Sequence, residues 1–138
     1  MRTLIVEDDF TSRLLLQTFL SRYGECHVAM NGNEALQAFR LACRGKEKYD
    51  LICMDIMMPE MDGQTAVRRI RELEVSEGIL SSVGVKIIMT TALDDVKNVM
   101  ESFGSLCDAY VFKPVDTVLL LDHLQKLALV PQVTGARG

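Results

Sequence analysis

The chain has no tryptophan and only three tyrosines and five phenylalanines in 138 residues. A stacking platform for nucleic-acid bases is therefore not expected. Positive charge is also short: 15 Lys and Arg face 19 Asp and Glu, for a net charge of −4. That balance argues against the basic patch that nucleic-acid binding needs. The four cysteines (Cys26, Cys43, Cys53 and Cys107) form no CxxC pair, and there are only two histidines. A structural zinc site is excluded on that spacing, and reduced, buried thiols are expected. No apolar run approaches the ~20 residues that cross a bilayer. The opening run Leu4-Ile5-Val6 stops at Glu7, Asp8 and Asp9, too short for a signal-peptide core. A cytoplasmic protein without membrane insertion is the expectation. With 49% hydrophobic residues, the chain has material for one domain's core and little room for a second.

Short apolar runs alternate with helical patterns along the chain. Strands are predicted at 4–6, 26–30, 51–54, 85–89 and 106–112, each too apolar for a one-sided sheet. Helices are predicted over 10–23, 34–43, 62–74, 94–103 and 116–130 from apolar residues at helical spacing. Gly24 and Gly104 are placed to stop helices, and Pro114 to block the fifth strand. Asp9 and Asp62 stand where N-caps belong, and Asn31-Gly32-Asn33 is a turn with an N-cap before the second helix. Five strand–helix pairs in strict alternation predict a doubly wound α/β fold: a parallel sheet with five helices on its two faces. The domain is expected over 1–130, and the Pro- and Gly-punctuated tail 131–138 is expected to fray.

Ligands in such sheets gather at the carboxyl ends of the strands. The first strand ends in Glu7-Asp8-Asp9, the third in Asp55, the fourth in Thr90-Thr91 and the fifth in Lys113. Three converging carboxylates repel one another, and a divalent cation relieves that repulsion. Oxygen-only ligation suits a hard ion such as Mg²⁺, or Mn²⁺. Glu7, Asp8 and Asp55 give about −3, against +2 from the metal and +1 from Lys113, so the pocket is roughly neutral. Such a pocket can take up a phosphoryl group, with Asp55 attacking in line and Thr91 donating to a phosphoryl oxygen.

Taken together, Leu4-Ile5-Val6-Glu7-Asp8-Asp9, Met54-Asp55 with the loop through Met61-Asp62-Gly63, Thr90-Thr91-Ala92 and Tyr110-Val111-Phe112-Lys113-Pro114 resemble the response-regulator receiver domain of bacterial two-component signalling. The likeness runs from about Leu4 to Val130. It implies the flavodoxin-like strand order 2-1-3-4-5. It also implies that Asp55 accepts a phosphoryl group from a histidine kinase or phosphotransfer protein. The resemblance makes Glu7 and Asp8 the acidic pair, with the backbone carbonyl of Met57 and Asp55 completing the metal ligands. Strand spacing favours Glu7-Asp8 over Asp8-Asp9. By the same resemblance Thr91 and Tyr110 are the switch residues, Lys113 is the family's lysine, and the Lys113–Pro114 bond is cis. Phosphorylation would then shift the packing of a face built from the fourth helix, fifth strand and fifth helix, to which a partner docks.

Two positions depart from the family average. Met57 and Leu93 are apolar where the family's side chains border the path of the hydrolytic water, so slow self-dephosphorylation is expected. The 75–84 segment is longer than its connection requires, and an ordinary helix extension and loop is its expected form. His27 and His123 are read as isolated surface residues. Because the module takes up nearly all 138 residues, output is expected through a partner, as in a chemotaxis-type single-domain regulator. The alternative is an aspartate-nucleophile phosphatase of dehalogenase type. Those enzymes carry a second Asp two residues after the nucleophile, where this chain has Met57. A flavodoxin-like cofactor binder is disfavoured, since acids after the first strand would repel a flavin phosphate.

Overall fold

The computed structural model describes residues 1–58, 60–92 and 106–131. Its five strands are β1 (Thr3–Val6), β2 (Cys26–Ala29), β3 (Leu51–Asp55), β4 (Lys86–Thr91) and β5 (Ala109–Phe112). They form one parallel sheet in the order β2-β1-β3-β4-β5, as expected. The helices are α1 (Phe10–Leu20), α2 (Gly32–Arg44), α3 (Gly63–Ser76) and α4 (Thr117–Lys126), with a 3₁₀ turn at Ser81–Val83. α4 is the fifth helix of the sequence pattern. The predicted fourth, over 94–103, lies outside the described residues, as do Leu93, Gly104 and 132–138.

Strand alternation divides the core between two faces. Leu4, Val6, Ile52, Met54, Ile87 and Met89 pack under α2 and α3. Ile5, Leu51, Cys53 and Ile88 pack under α1 and α4, through Leu16, Leu20, Leu120 and Leu124. The three central strands β1, β3 and β4 are thus buried on both sides, which is why their runs read as continuously apolar.

The helix starts follow the expected chemistry. Asp9 accepts a hydrogen bond from Ser12 N, Asn31 from Glu34 N and Asp62 from Thr65 N. Several ends differ from the sequence pattern. α1 stops at Leu20, and Gly24 (φ +152°) is required instead because the Met1 carbonyl occupies the space of its missing Cβ. α4 stops at Lys126, where Ala128 enters the left-handed region (φ 59°) and Leu129 N returns to the Leu124 carbonyl. β5 starts at Ala109 rather than Leu106, because the Asp108 side chain takes the Ile87 N–H (2.8 Å) in place of a backbone carbonyl. In the 75–84 segment α3 runs on to Ser76 before the 3₁₀ turn, matching a helix extension and loop. Glu74, buried below it, accepts from Val85 N and from Arg71.

Candidate functional site

β1 and β3 are hydrogen-bonded neighbours, so their ends deliver Glu7, Asp8 and Asp55 to the same place. The three carboxylates offer oxygens within 4.8 Å of one another; Glu7 and Asp55 are buried and Asp8 is exposed. Asp9 is not among them, because its side chain caps α1. β5 brings in Lys113, whose Nζ lies 2.9 Å from Glu7 Oε1 and 3.2 Å from Asp55 Oδ1. The Lys113–Pro114 peptide is cis.

The electrostatics follow from burial. Desolvation pushes Glu7 from 4.5 up to about 7, the Asp55 charge adds to the rise, and Lys113 opposes both. Burial acts to lower Lys113, but the Glu7 and Asp55 carboxylates outweigh it and hold the ammonium above its ordinary value. Lys113 touches two of the three acids, Glu7 and Asp55. This donor set, all oxygen and all carboxylate, fits a hard divalent ion.

The remaining predicted residues sit around this cluster. Met57 is exposed, and its N–H donates to Asp55 Oδ1 (3.3 Å). Thr91, the last residue of β4, is buried, and its hydroxyl donates to the Ala92 carbonyl (3.2 Å), not to Asp55. Tyr110 turns its hydroxyl inward beside Cys107, and burial pushes the phenol up to about 12. Leu93 lies outside the described residues.

Other contributors were not legible as such. Arg13, from the first turn of α1, reaches back to the carbonyls of Glu7 (3.2 Å) and Asp8 (3.3 Å) and braces the acidic turn. Gly63 lies so close to β3 that a Cβ would fall 2.2 Å from the Asp55 carbonyl oxygen. At the opposite end of the sheet, His27 is neither isolated nor fully exposed: it bonds Tyr49 (2.7 Å) and Glu25 (2.8 Å). Asp108, also at that end, pairs with Arg71 (3.2 Å). No helix among the described residues is long and apolar enough to cross a membrane.

Comparison with known proteins converges on one family. The Staphylococcus aureus transcriptional regulatory protein SrrA is 38% identical over 112 residues, covering 80% of this chain and 41% of SrrA. The Bacillus subtilis transcriptional regulatory protein YclJ is 32% identical over 136 residues, covering 98% of this chain and 54% of YclJ. The chain thus spans about half the length of the curated relatives it matches. Among solved structures, the co-crystal structure of the Saccharomyces cerevisiae phosphotransfer protein Ypd1 with the receiver domain of its downstream response regulator Ssk1 matches at a TM-score of 0.78. Identity there is 28%, with 94% of this chain and 89% of that chain covered. Residues 3–125 match the response regulator receiver domain. With the sheet order and the acidic cluster in place, the chain belongs to the response regulator receiver domain family.

Proposed function

We propose that the chain is a phosphorylation-dependent signalling switch whose acceptor is Asp55. The observation that carries this reading is the buried Asp55 carboxylate, grouped with Glu7 and Asp8 and touched by the Lys113 ammonium. A histidine kinase or a phosphotransfer protein is the phosphodonor; the structural likeness to the Ypd1–Ssk1 complex supports that class of partner. An Asp55 carboxylate oxygen attacks phosphorus, and the P–N bond to the donor imidazole breaks. The imidazole keeps the electron pair and takes up a proton. Lys113 stands where it can offset charge on the phosphoryl oxygens.

Glu7, Asp8, Asp55 and the Met57 carbonyl are the groups that would hold Mg²⁺ or Mn²⁺. When bound, that ion supplies positive charge to the incoming phosphoryl oxygens. Thr91 and Tyr110 are the residues we assign to the switch: the hydroxyl of Thr91 exchanges its Ala92 partner for a phosphoryl oxygen. The partner-binding face includes β5 and α4, where Phe112, Val118 and Leu119 are exposed and apolar. The module is taken as 1–130, ending at the buried Val130, in a cytoplasmic setting where the cysteines stay reduced. The phosphatase alternative is weaker, since the exposed thioether of Met57 offers no acid or base two residues from Asp55.

The test is incubation with Mg²⁺ and acetyl phosphate, followed by intact mass. One phosphoryl group is expected on the native chain and none on Asp55→Asn. A native chain that gains no mass, beside a receiver control that does, rejects the reading. Continuous Mg²⁺-dependent release of phosphate from an ester would favour the phosphatase.

A further inference from the structure

The chain holds eight methionines, and four of them (Met54, Met57, Met58 and Met61) lie in or beside the loop after β3. Their surroundings separate them. Met54 and Met89 are fully buried, and Met58 and Met61 pack against the core under α2 and α3. Only Met30 (40% exposed) and Met57 (64%) open widely to solvent among the described residues. Met30 follows β2, the edge strand, with β1 between it and β3. Met57 is joined to the acceptor carboxylate itself through its N–H to Asp55 Oδ1. Met57 is the more exposed of the two.

We propose that Met57 is an oxidation site, and that its sulfoxide shortens the life of the phosphoryl group on Asp55. The proposal rests on the reading of Asp55 as acceptor. The oxidant is a two-electron oxygen donor of the peroxide class. A sulfur lone pair attacks one peroxide oxygen, an S–O bond forms and the O–O bond breaks. The departing hydroxide takes the proton from the oxygen now on sulfur and leaves as water; sulfur loses two electrons and the peroxide gains them. The thioether is a poor hydrogen-bond acceptor, whereas the sulfoxide is polar and a strong one. Hydrolysis of an acyl phosphate needs a water placed in line with phosphorus. That water attacks, the bond from phosphorus to the Asp55 oxygen breaks, and the carboxylate leaves with the electron pair. The proton lost by the water passes to solvent. A sulfoxide oxygen on Met57, two residues from Asp55, can accept a hydrogen bond from that water and orient it; the thioether accepts too weakly to do so. One such bond corresponds to a roughly two- to tenfold faster loss.

The experiment treats the full chain with dilute hydrogen peroxide, removes the oxidant, phosphorylates with acetyl phosphate and Mg²⁺, and follows decay by intact mass. Peptide mapping should find one added oxygen on Met57 ahead of Met30. Decay should accelerate two- to tenfold, and methionine sulfoxide reductases should reverse it where dithiothreitol alone does not. Peroxide should leave the decay of Met57→Leu at that variant's own rate, while Met30→Leu should respond as the native chain does. The proposal is overturned by an oxidised Met57 with unchanged decay, by Met30 oxidising first, or by an oxidised chain that no longer takes a phosphoryl group. Acceleration that persists in Met57→Leu, or that dithiothreitol reverses, also overturns it. An untreated chain that takes up no phosphoryl group overturns the acceptor reading itself.

Discussion

Lys113 Nζ lies 2.9 Å from Glu7 Oε1, and Glu7 is fully buried. The pair joins the end of β5 to the end of β1 across the intervening β3 and β4, so it is both a cross-sheet tie and half of the acidic pocket. Replacing Lys113 by methionine leaves a buried carboxylate beside Asp55 with no cation. Because Lys113 is partly exposed, the cost is placed at about 1–3 kcal/mol, below that of a fully buried pair. Thermal melts of metal-free Lys113→Met should fall by roughly 4 °C per kcal/mol at pH 8. The fall should be smaller at pH 5, where Glu7 takes up a proton, and added Mg²⁺ should recover much of it. An equal loss at both pH values would contradict this account.

Glu7→Gln tests the same charge from the other side. The folded pKa of Glu7, about 7, lies above its ordinary 4.5. Folding therefore takes up a proton between these values. The group's stabilising contribution is full below about pH 4.5 and is lost as pH rises through about 7. In metal-free buffer Glu7→Gln should match the native chain near pH 4.5 and melt higher than it at pH 8. Mg²⁺ should raise the melting temperature of the native chain and raise that of the variant much less. Melts in EDTA and in Mg²⁺ across pH 4.5–8 decide it.

These two residues also mark how far the sequence could be read. Glu7 and Lys113 were legible because acids and a lysine after successive strands must meet at one end of a parallel sheet. Asp9 was separable from them by its capping position. Arg13 was not legible, since an arginine early in a helix carries no sign that it will fold back onto the preceding carbonyls. Nor was the role of Asp108, whose side chain replaces a strand carbonyl, or the contact of His27 with Tyr49. Such contacts depend on side chains brought together from distant segments, which periodicity does not encode. Helix ends were likewise less legible than helix starts: caps are written in Asp and Asn, whereas α4 ends on a left-handed alanine.

Gly63 should tolerate no side chain. An alanine Cβ there would sit 2.2 Å from the Asp55 carbonyl oxygen and 2.9 Å from Ile56 Cα, both backbone atoms. The end of β3 must shift or the first turn of α3 must lift. Gly63→Ala is expected to lose about 2 kcal/mol or more in denaturant melts. It should also take up phosphoryl groups from acetyl phosphate several-fold more slowly, by intact mass at a temperature where it remains folded. Native stability with native uptake would show that the loop relaxes freely.

Polar side chains at positions 57 and 93 test the expected slow self-dephosphorylation without any oxidant. An asparagine at 57 places an amide beside Asp55, where Met57 now presents a thioether to solvent. Met57→Asn should shorten the lifetime by roughly two- to tenfold, the scale of one oriented hydrogen bond. Leu93→Glu should act in the same direction. Decay of intact mass after removal of acetyl phosphate measures both. Unchanged lifetimes in the two variants would reject the idea that apolar side chains there slow hydrolysis.

Arg71 provides the matching test away from the pocket. Its guanidinium donates to Glu74 (2.8 Å), to the carbonyls of Val85 (2.8 Å) and Leu106 (2.9 Å), and to Asp108 (3.2 Å). One side chain thus ties α3 to the starts of β4 and β5, at the end of the sheet opposite Asp55. Arg71→Met leaves the buried Glu74 carboxylate with the Val85 N–H as its one donor among the described residues, and takes a donor from two carbonyls. The expected loss is about 2–4 kcal/mol, less than the sum of the separate bonds because the contacts share one network. Phosphoryl uptake at low temperature should stay within about twofold of native, since no group of the acidic cluster is touched. A variant that keeps its stability but loses uptake would instead place Arg71 in the path between the two ends of the sheet.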